Sequence, residues 1–235
     1  MQNVSDDFKR ITAGEYCTET KITINGSEYG ENKLYSVAGK NNIFDDDPNV
    51  GKAIIGEVNI VMDAPETPFP EMAEIRISTR VYDMYNKDDA SEWIPKGIFY
   101  IDERIKDEEC NQLRIIGYNA MMKTEVPYPS STLEWPATRR QVLNEICAIT
   151  GIEADDRTLE AFPSDSVRCM KLPSGYTIRE ILGYIASTKC GCFCISDEGK
   201  LLFVALNSLP PETNYLIRED GSCITFGGTR ILLRG

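Results

Sequence analysis

A chain of 235 residues with 42% hydrophobic and 26% charged residues holds enough interior for a packed core without disulfide staples. Its 37 acidic residues against 25 basic ones give a net charge of −12, which excludes a general phosphate-backbone binder. The complete lack of histidine removes every Ser-His, Cys-His and His-metal mechanism.

Residues 1–18 read as a polar lead-in. Glu19–Asn25 alternates, with Ile22 and Ile24 on one face, and Asn25-Gly26 marks a reversal from which Lys33–Val37 can return as the partner strand. Asn41–Gly51 is a loop dense in Asn, Asp and Gly. Ile54–Asp63 predicts an alternating strand with Ile54, Val58, Ile60 and Met62 together. Pro65, Pro68 and Pro70 stiffen the crossing to Glu74–Tyr82, a second alternating strand with Ile75, Ile77, Thr79 and Val81 on one side. Asn86–Ala90 reads as a polar loop. Ser91–Asp102, SEWIPKGIFYID, reads as a hairpin, because Pro95-Lys96-Gly97 has turn chemistry between two apolar runs. Trp93 on it is either a core residue or an anchor for a partner chain, and burial tendency favours the core. Leu113–Tyr118 follows a turn at Asp107-Glu108-Glu109. Short strands with short turns predict an antiparallel β-barrel or sandwich over residues 1–122.

The pattern changes after Lys123. Val126–Pro136, with Pro127, Pro129 and Pro136, reads as a linker. Thr138 and Gln141 fit a capping box, followed by the stripe Val142, Leu143, Ile146 and Ile149 and by Gly151 at the helix end. Thr177 and Glu180 fit a second box, with Tyr176 and Ile181 at staple spacing and Ile178, Ile181, Leu182 and Ile185 as the stripe. Gly191–Ile195 and Leu201–Leu206 flank a reversal at Asp197-Glu198-Gly199. Two helices on a hairpin make a small α+β unit over residues 123–206. Residues 207–235 hold strand-like pieces, Cys223–Phe226 and Thr229–Leu233, around Gly227-Gly228. They either return to the first barrel or begin another. The fold class is therefore mainly β with α+β: a barrel, then a two-helix and hairpin unit, then further strands.

No constellation in the chain makes a convincing reactive site. Cys190, Cys192 and Cys194 are spaced by two, which in a strand puts all three on one face as small apolar core residues rather than as zinc ligands. Asp45-Asp46-Asp47-Pro48-Asn49 lacks the ligand order of a calcium loop. Asp88-Asp89 and Asp155-Asp156 are adjacent pairs whose side chains diverge, so they read as structural or solvated. Gly227-Gly228 lacks the surroundings of a phosphate loop. The expectation is no catalytic, cofactor or metal residue. The eight cysteines are expected to be reduced thiols in a cytosolic product. No apolar run is long enough for a membrane helix, and MQNVSDDFKR has no signal-peptide apolar core. Phe69, Tyr128, Trp93 and Trp135 are core or linker aromatics by default and an exposed interface surface in the alternative.

Four separated strings carry a family resemblance. They are YCTETKITING (Tyr16–Gly26), VGKA (Val50–Ala53), SEWIPKGIFYID and LRIIGYNAMMK (Leu113–Lys123). In this order, between about Tyr16 and Leu206, they resemble prophage tail proteins of Firmicutes, of the tail-tip or baseplate hub type. The resemblance implies a homotrimeric ring of tandem barrels that joins the tail tube to distal tail proteins. It implies assembly in the bacterial cytoplasm, a place in the virion tail, no cofactor and no nucleic acid specifically bound. Phe69, Trp93, Ile94 and Pro95 are the interface candidates. Alternatives are the N-terminal part of a peptidoglycan-degrading tail enzyme and a receptor-binding module for a cell-surface glycan.

Overall fold

The computed structural model describes residues 4–40, 50–163, 168–169, 175–206, 225–226 and 229–230. The Asp45–Asp47 loop and Gly227-Gly228 lie outside them. Eight strands share one antiparallel sheet: β1 Tyr16–Ile24, β2 Ser27–Tyr29, β3 Leu34–Lys40, β4 Glu57–Asp63, β5 Glu74–Asp83, β6 Asn86–Ala90, β7 Ile94–Asp107 and β8 Gln112–Asn119. Their order is β2-β1-β5-β7-β8-β4-β3, with β6 pairing the end of β5.

This order forces curvature. The outermost strands, β2 and β3, are consecutive in sequence and joined only by residues 30–33. Seven flat strands would hold their edges ~29 Å apart at normal spacing. A link of that length reaches only ~18 Å. The sheet therefore curls into a half-barrel. Its concave face buries Ile22, Val58, Ile60, Met62, Ile75, Ile101 and Ile115, each fully shielded from solvent. Asn25 and Gly26 take positive φ at the β1–β2 reversal, as their residue types allow. The return partner of β1 is Ser27–Tyr29, not Lys33–Val37. Those later residues open β3, which pairs with β4 at the far edge.

SEWIPKGIFYID does not make a hairpin. Residues 94–107 form one strand, and Pro95-Lys96-Gly97 is a bulge in it: Ile77 faces Gly97 while Ser78 faces Pro95. The reason is parity. Ile94 and Phe99 are an odd number of residues apart, so a regular strand would send them to opposite faces. One extra residue, Lys96, brings both into the core, where each is only 4% exposed. Proline is tolerated in a sheet at such a site, and Gly97 supplies φ 138°. Asn86–Ala90 is likewise strand β6 rather than loop. The lead-in contains helix α1, Asp6–Thr12, capped by Ser5, whose hydroxyl accepts from the Phe8 amide at 3.1 Å. Ser5 N donates to Glu92 at 2.7 Å, and Arg10 makes a fork of 2.6 and 2.8 Å bonds to Asp89, which pins the helix beside β6.

A second core forms around helices α2 Arg139–Thr150, α3 Asp156–Ala161 and α4 Ile178–Ser187, and the hairpin of β11 Gly191–Ile195 with β12 Leu201–Ala205. The short pair β9 Ala137–Thr138 and β10 Arg168–Cys169 flanks it. Further on, β13 Thr225–Phe226 pairs β14 Thr229–Arg230. Both capping boxes are formed in full, and Gly151 ends α2 at φ 68°. Val142, Leu143 and Ile146 are buried as the stripe requires, but Ile149 is 41% exposed at the edge of the stripe, and Ile152 beyond the helix joins the core. Tyr176 is exposed and meets Tyr184 edge-on at 5.4 Å.

Residues 126–136 are not a loose spacer. Tyr128 is buried, Leu133 and Trp135 pack on the second core, and the Glu145 carboxylate gathers the segment. It accepts from the Tyr128 hydroxyl, from Ser131 Oγ at 2.7 Å, and from Thr132 N at 2.8 Å and Oγ1 at 3.0 Å. Burial alone would raise the Glu145 pKa, but these bonds together outweigh it and hold the carboxyl below its usual range. A depressed carboxylate stabilises the fold above its unfolded pKa and loses that contribution as pH falls through the folded value. The wild type should therefore lose more stability than Glu145→Gln as pH drops below about 4.3, the ordinary glutamate value. Melting temperatures measured down this range check it. Equal slopes would mean that the network does not favour the ionised form.

The VGKA string joins the two cores. Gly51 N donates to Gly191 O at 2.7 Å, Phe193 N to Lys52 O at 2.9 Å, and Ile54 N to Phe193 O at 2.8 Å. Ala53 thus lies as a parallel bridge against β11. Arg179 on α4 donates to Ala53 O at 2.8 Å. Ala120 and Met121, in the 3-10 turn Ala120–Thr124 that follows β8, reach the same core.

Candidate interaction surfaces

The four interface candidates fall at two places on the half-barrel. Phe69 is 6% exposed and packs edge-on against Tyr29 at 5.8 Å, while its carbonyl accepts from the Arg104 guanidinium. Ile94 is in the core. Trp93 is half-buried, with Lys21 Nζ 4.6 Å and the Arg80 guanidinium 4.7 Å from its ring centre. Arg80 is itself held by Glu19 at 2.6 Å. Pro95 is exposed on the bulge. The structure brings Trp93, Ile94 and Pro95 together by sequence adjacency and leaves Phe69 in the core cluster lined by Ile101 and Leu113.

A cavity of about 410 Å³ opens where VGKA meets α4, lined by Lys52, Glu125, Thr177, Arg179, Glu180 and Tyr184 among others. Its charges are engaged in structure. Arg179 binds Ala53 O and the Glu125 carboxylate. Glu180 accepts from Thr177 N at 2.7 Å and Thr177 Oγ1 at 3.1 Å. Asp155 is likewise structural: it caps α3 and takes a fork from Arg157 at 2.8 and 2.9 Å, which holds its carboxyl below the usual range. Among the described residues, no three His, Cys, Asp or Glu side chains gather as a metal-ligand set. No described helix is long and apolar enough to cross a membrane.

Two of the three clustered cysteines are core residues. Cys192 is 0% and Cys194 4% exposed on β11, and burial raises both thiols, Cys194 to about 12. Cys190 does not share their face. It takes φ 48° in the turn after α4 and is exposed. Maleimide should label Cys190 and exposed Cys110 in the native protein and reach Cys192 and Cys194 only after unfolding. Peptide mass mapping reads this directly, and equal labelling of Cys194 and Cys190 would contradict the packing of β11.

Sequence reasoning missed the exposed residues at the β5–β6 turn, Met84 and Tyr85, and their neighbour Tyr16. Two large side chains directly after the turn residue Asp83 are the signal that could have found them.

No family model and no curated protein matches the chain. Among solved structures it is similar to the 43 kDa tail protein of prophage MuSo2 from Shewanella oneidensis, with a TM-score of 0.46 and 14% identity over 79% of this chain and 52% of that one. It is also similar to a tail protein from Neisseria meningitidis MC58, with a TM-score of 0.49 and 10% identity over 79% of this chain and 50% of that one. The chain spans about half the length of each of these two tail proteins.

Proposed function

We propose that this chain is a structural component of a phage or prophage tail, of the tail-tip or baseplate hub type. It would work as a ring of three copies that joins the tail tube to distal tail proteins. In this reading residues 1–122 form the ring-building barrel and residues 123–206 the unit beside it. Residues 207–235 belong to the first barrel or to a second. The observation that carries the proposal is where the resemblance strings lie. YCTETKITING forms β1 and its reversal, and SEWIPKGIFYID forms the bulge of the central strand. LRIIGYNAMMK covers most of β8 and the turn into the second core, and VGKA docks on β11. All four strings therefore lie in ordered parts of the sheet or at the junction of the two cores.

The charged groups around the cavity support a role in surface contact rather than bond-making. Arg179, Glu125 and Glu180 hold one another or the backbone, which leaves them poorly placed as general acids or bases. Assembly in the cytoplasm and residence in the virion tail follow from the same proposal, with Pro95 and the accessible rim of Trp93 as contacts between copies. Deletion of the gene from an inducible prophage tests it. Electron micrographs should show particles whose tails are absent or lack their tips, with recovery on complementation. Normal infectious tails without the protein would overturn the proposal.

A further inference from the structure

The β5–β6 turn carries two large side chains at its tip. Asp83 supplies the turn chemistry at its first position, and the two residues that follow, Met84 and Tyr85, form the tip. Tyr85 is 81% exposed, Met84 56%, and Tyr16, opposite Asp83 in the β1–β5 register, 48%. The turn is held in one shape. Asp83 Oδ1 accepts from the amides of Tyr85 at 2.8 Å and Asn86 at 3.1 Å. Met84 N donates to Glu15 O at 3.1 Å, and the Tyr85 hydroxyl donates to the Glu15 carboxylate at 2.5 Å. A fixed, exposed apolar tip adds nothing to the chain's own core. Adjacent exposed apolar side chains on a fixed turn are what a contact surface presents. A Tyr fixed by its hydroxyl suits binding because little ordering entropy remains to be lost, and Met beside it adapts to the surface it meets.

The surroundings say what would fit. Residues 5–16 and 82–92, which meet at this end of the sheet, carry seven acidic residues against three basic ones. We propose that the Tyr16–Met84–Tyr85 tip is a docking knob for a protein partner that offers an apolar cleft rimmed by Lys and Arg. The acidic rim opposes nucleic acid and anionic lipid. It also opposes a second copy of the same face, which would bring like charges together. The inference does not depend on the assembly role proposed above.

The test pans a display library of random 12-residue peptides on the full chain, with the Met84→Ser/Tyr85→Ala double variant as counter-target. The variant loses only the exposed Tyr85–Glu15 bond and keeps the Asp83 and Glu15 backbone bonds of the turn, so it should melt close to the wild type. Recovered peptides should combine Leu, Phe or Trp with flanking Lys or Arg. They should bind the variant about tenfold or more weakly, and bind the wild type less well as salt rises. Three results would overturn the proposal: peptides that bind both proteins equally, enrichment without basic residues, or no enrichment on the wild type over the variant. Self-association of the wild type that the double variant abolishes would assign the knob to a second copy instead and would also overturn it.

Discussion

Phe162→Ala is expected to destabilise the protein by about 3–5 kcal/mol, the largest effect of any single truncation considered. Phe162 is fully buried where α3 ends. Its ring stacks on Phe193 at 5.9 Å and meets Phe203 edge-on at 4.9 Å, while Phe193 and Phe203 lie 5.3 Å apart. Removing it empties the centre of a three-ring cluster that belongs to three different elements, so no single side chain can move in to fill the space. The Arg139 guanidinium, 5.5 Å from the ring, and Lys189 Nζ, 5.2 Å from it, would lose their π face as well. Urea unfolding should show the full loss for alanine and a smaller one for Phe162→Leu. The buried thiols of Cys192 and Cys194, on the strand that Phe162 covers, should become reactive at lower urea. A loss under about 1 kcal/mol would mean that the cluster is not closed.

Gly183→Ala should cost about 2 kcal/mol, against the ordinary trend. In an exposed helix the same change would stabilise by about 1 kcal/mol. Here a Cβ at Gly183 would stand 2.7 Å from the Gly51 carbonyl oxygen, which is backbone and is held by the docking of VGKA on β11. The clash is reciprocal. A Cβ on Gly51 would meet Ser187 Oγ at 2.2 Å, and its φ of 71° already disfavours other residues. Either the segment 51–54 lifts and loses its bonds to Gly191 and Phe193, or α4 shifts and its buried stripe follows. A drop in melting temperature of roughly 4–8 °C is expected for a chain of this size. An unchanged or raised melting temperature would show that the two glycines do not touch.

Local chemistry was legible and long-range geometry was not. Both capping boxes lie within four consecutive residues, so Thr138 with Gln141 and Thr177 with Glu180 could be read without knowing the fold. The alternation of Val58, Ile60 and Met62, and of Ile75 and Ile77, likewise carries its own direction. Pro95-Lys96-Gly97 has the same composition in a turn and in a bulge. Only the odd separation of Ile94 from Phe99 distinguishes the two, and it matters only once the buried face is known. The pairing of Ala53 with Phe193 spans too much sequence for any local pattern to signal it. Helix α1 is too short to show a periodic stripe, and its support comes from Asp89 and Glu92 on another part of the chain. The interface candidates were chosen by residue type, which favours aromatics wherever they lie. Burial then separates Phe69 and Ile94 from Pro95, and exposure brings forward Met84 and Tyr85.

The role we propose is that this polypeptide presents surfaces to its own copies and to a tail tube. Native mass spectrometry of the full chain, alone and mixed with a phage tail-tube protein from the same genome, distinguishes this role from its alternatives. A three-copy species is expected, and it should gain the mass of bound subunits when the tube protein is added. A monomer at every concentration, with or without the tube protein, would contradict it.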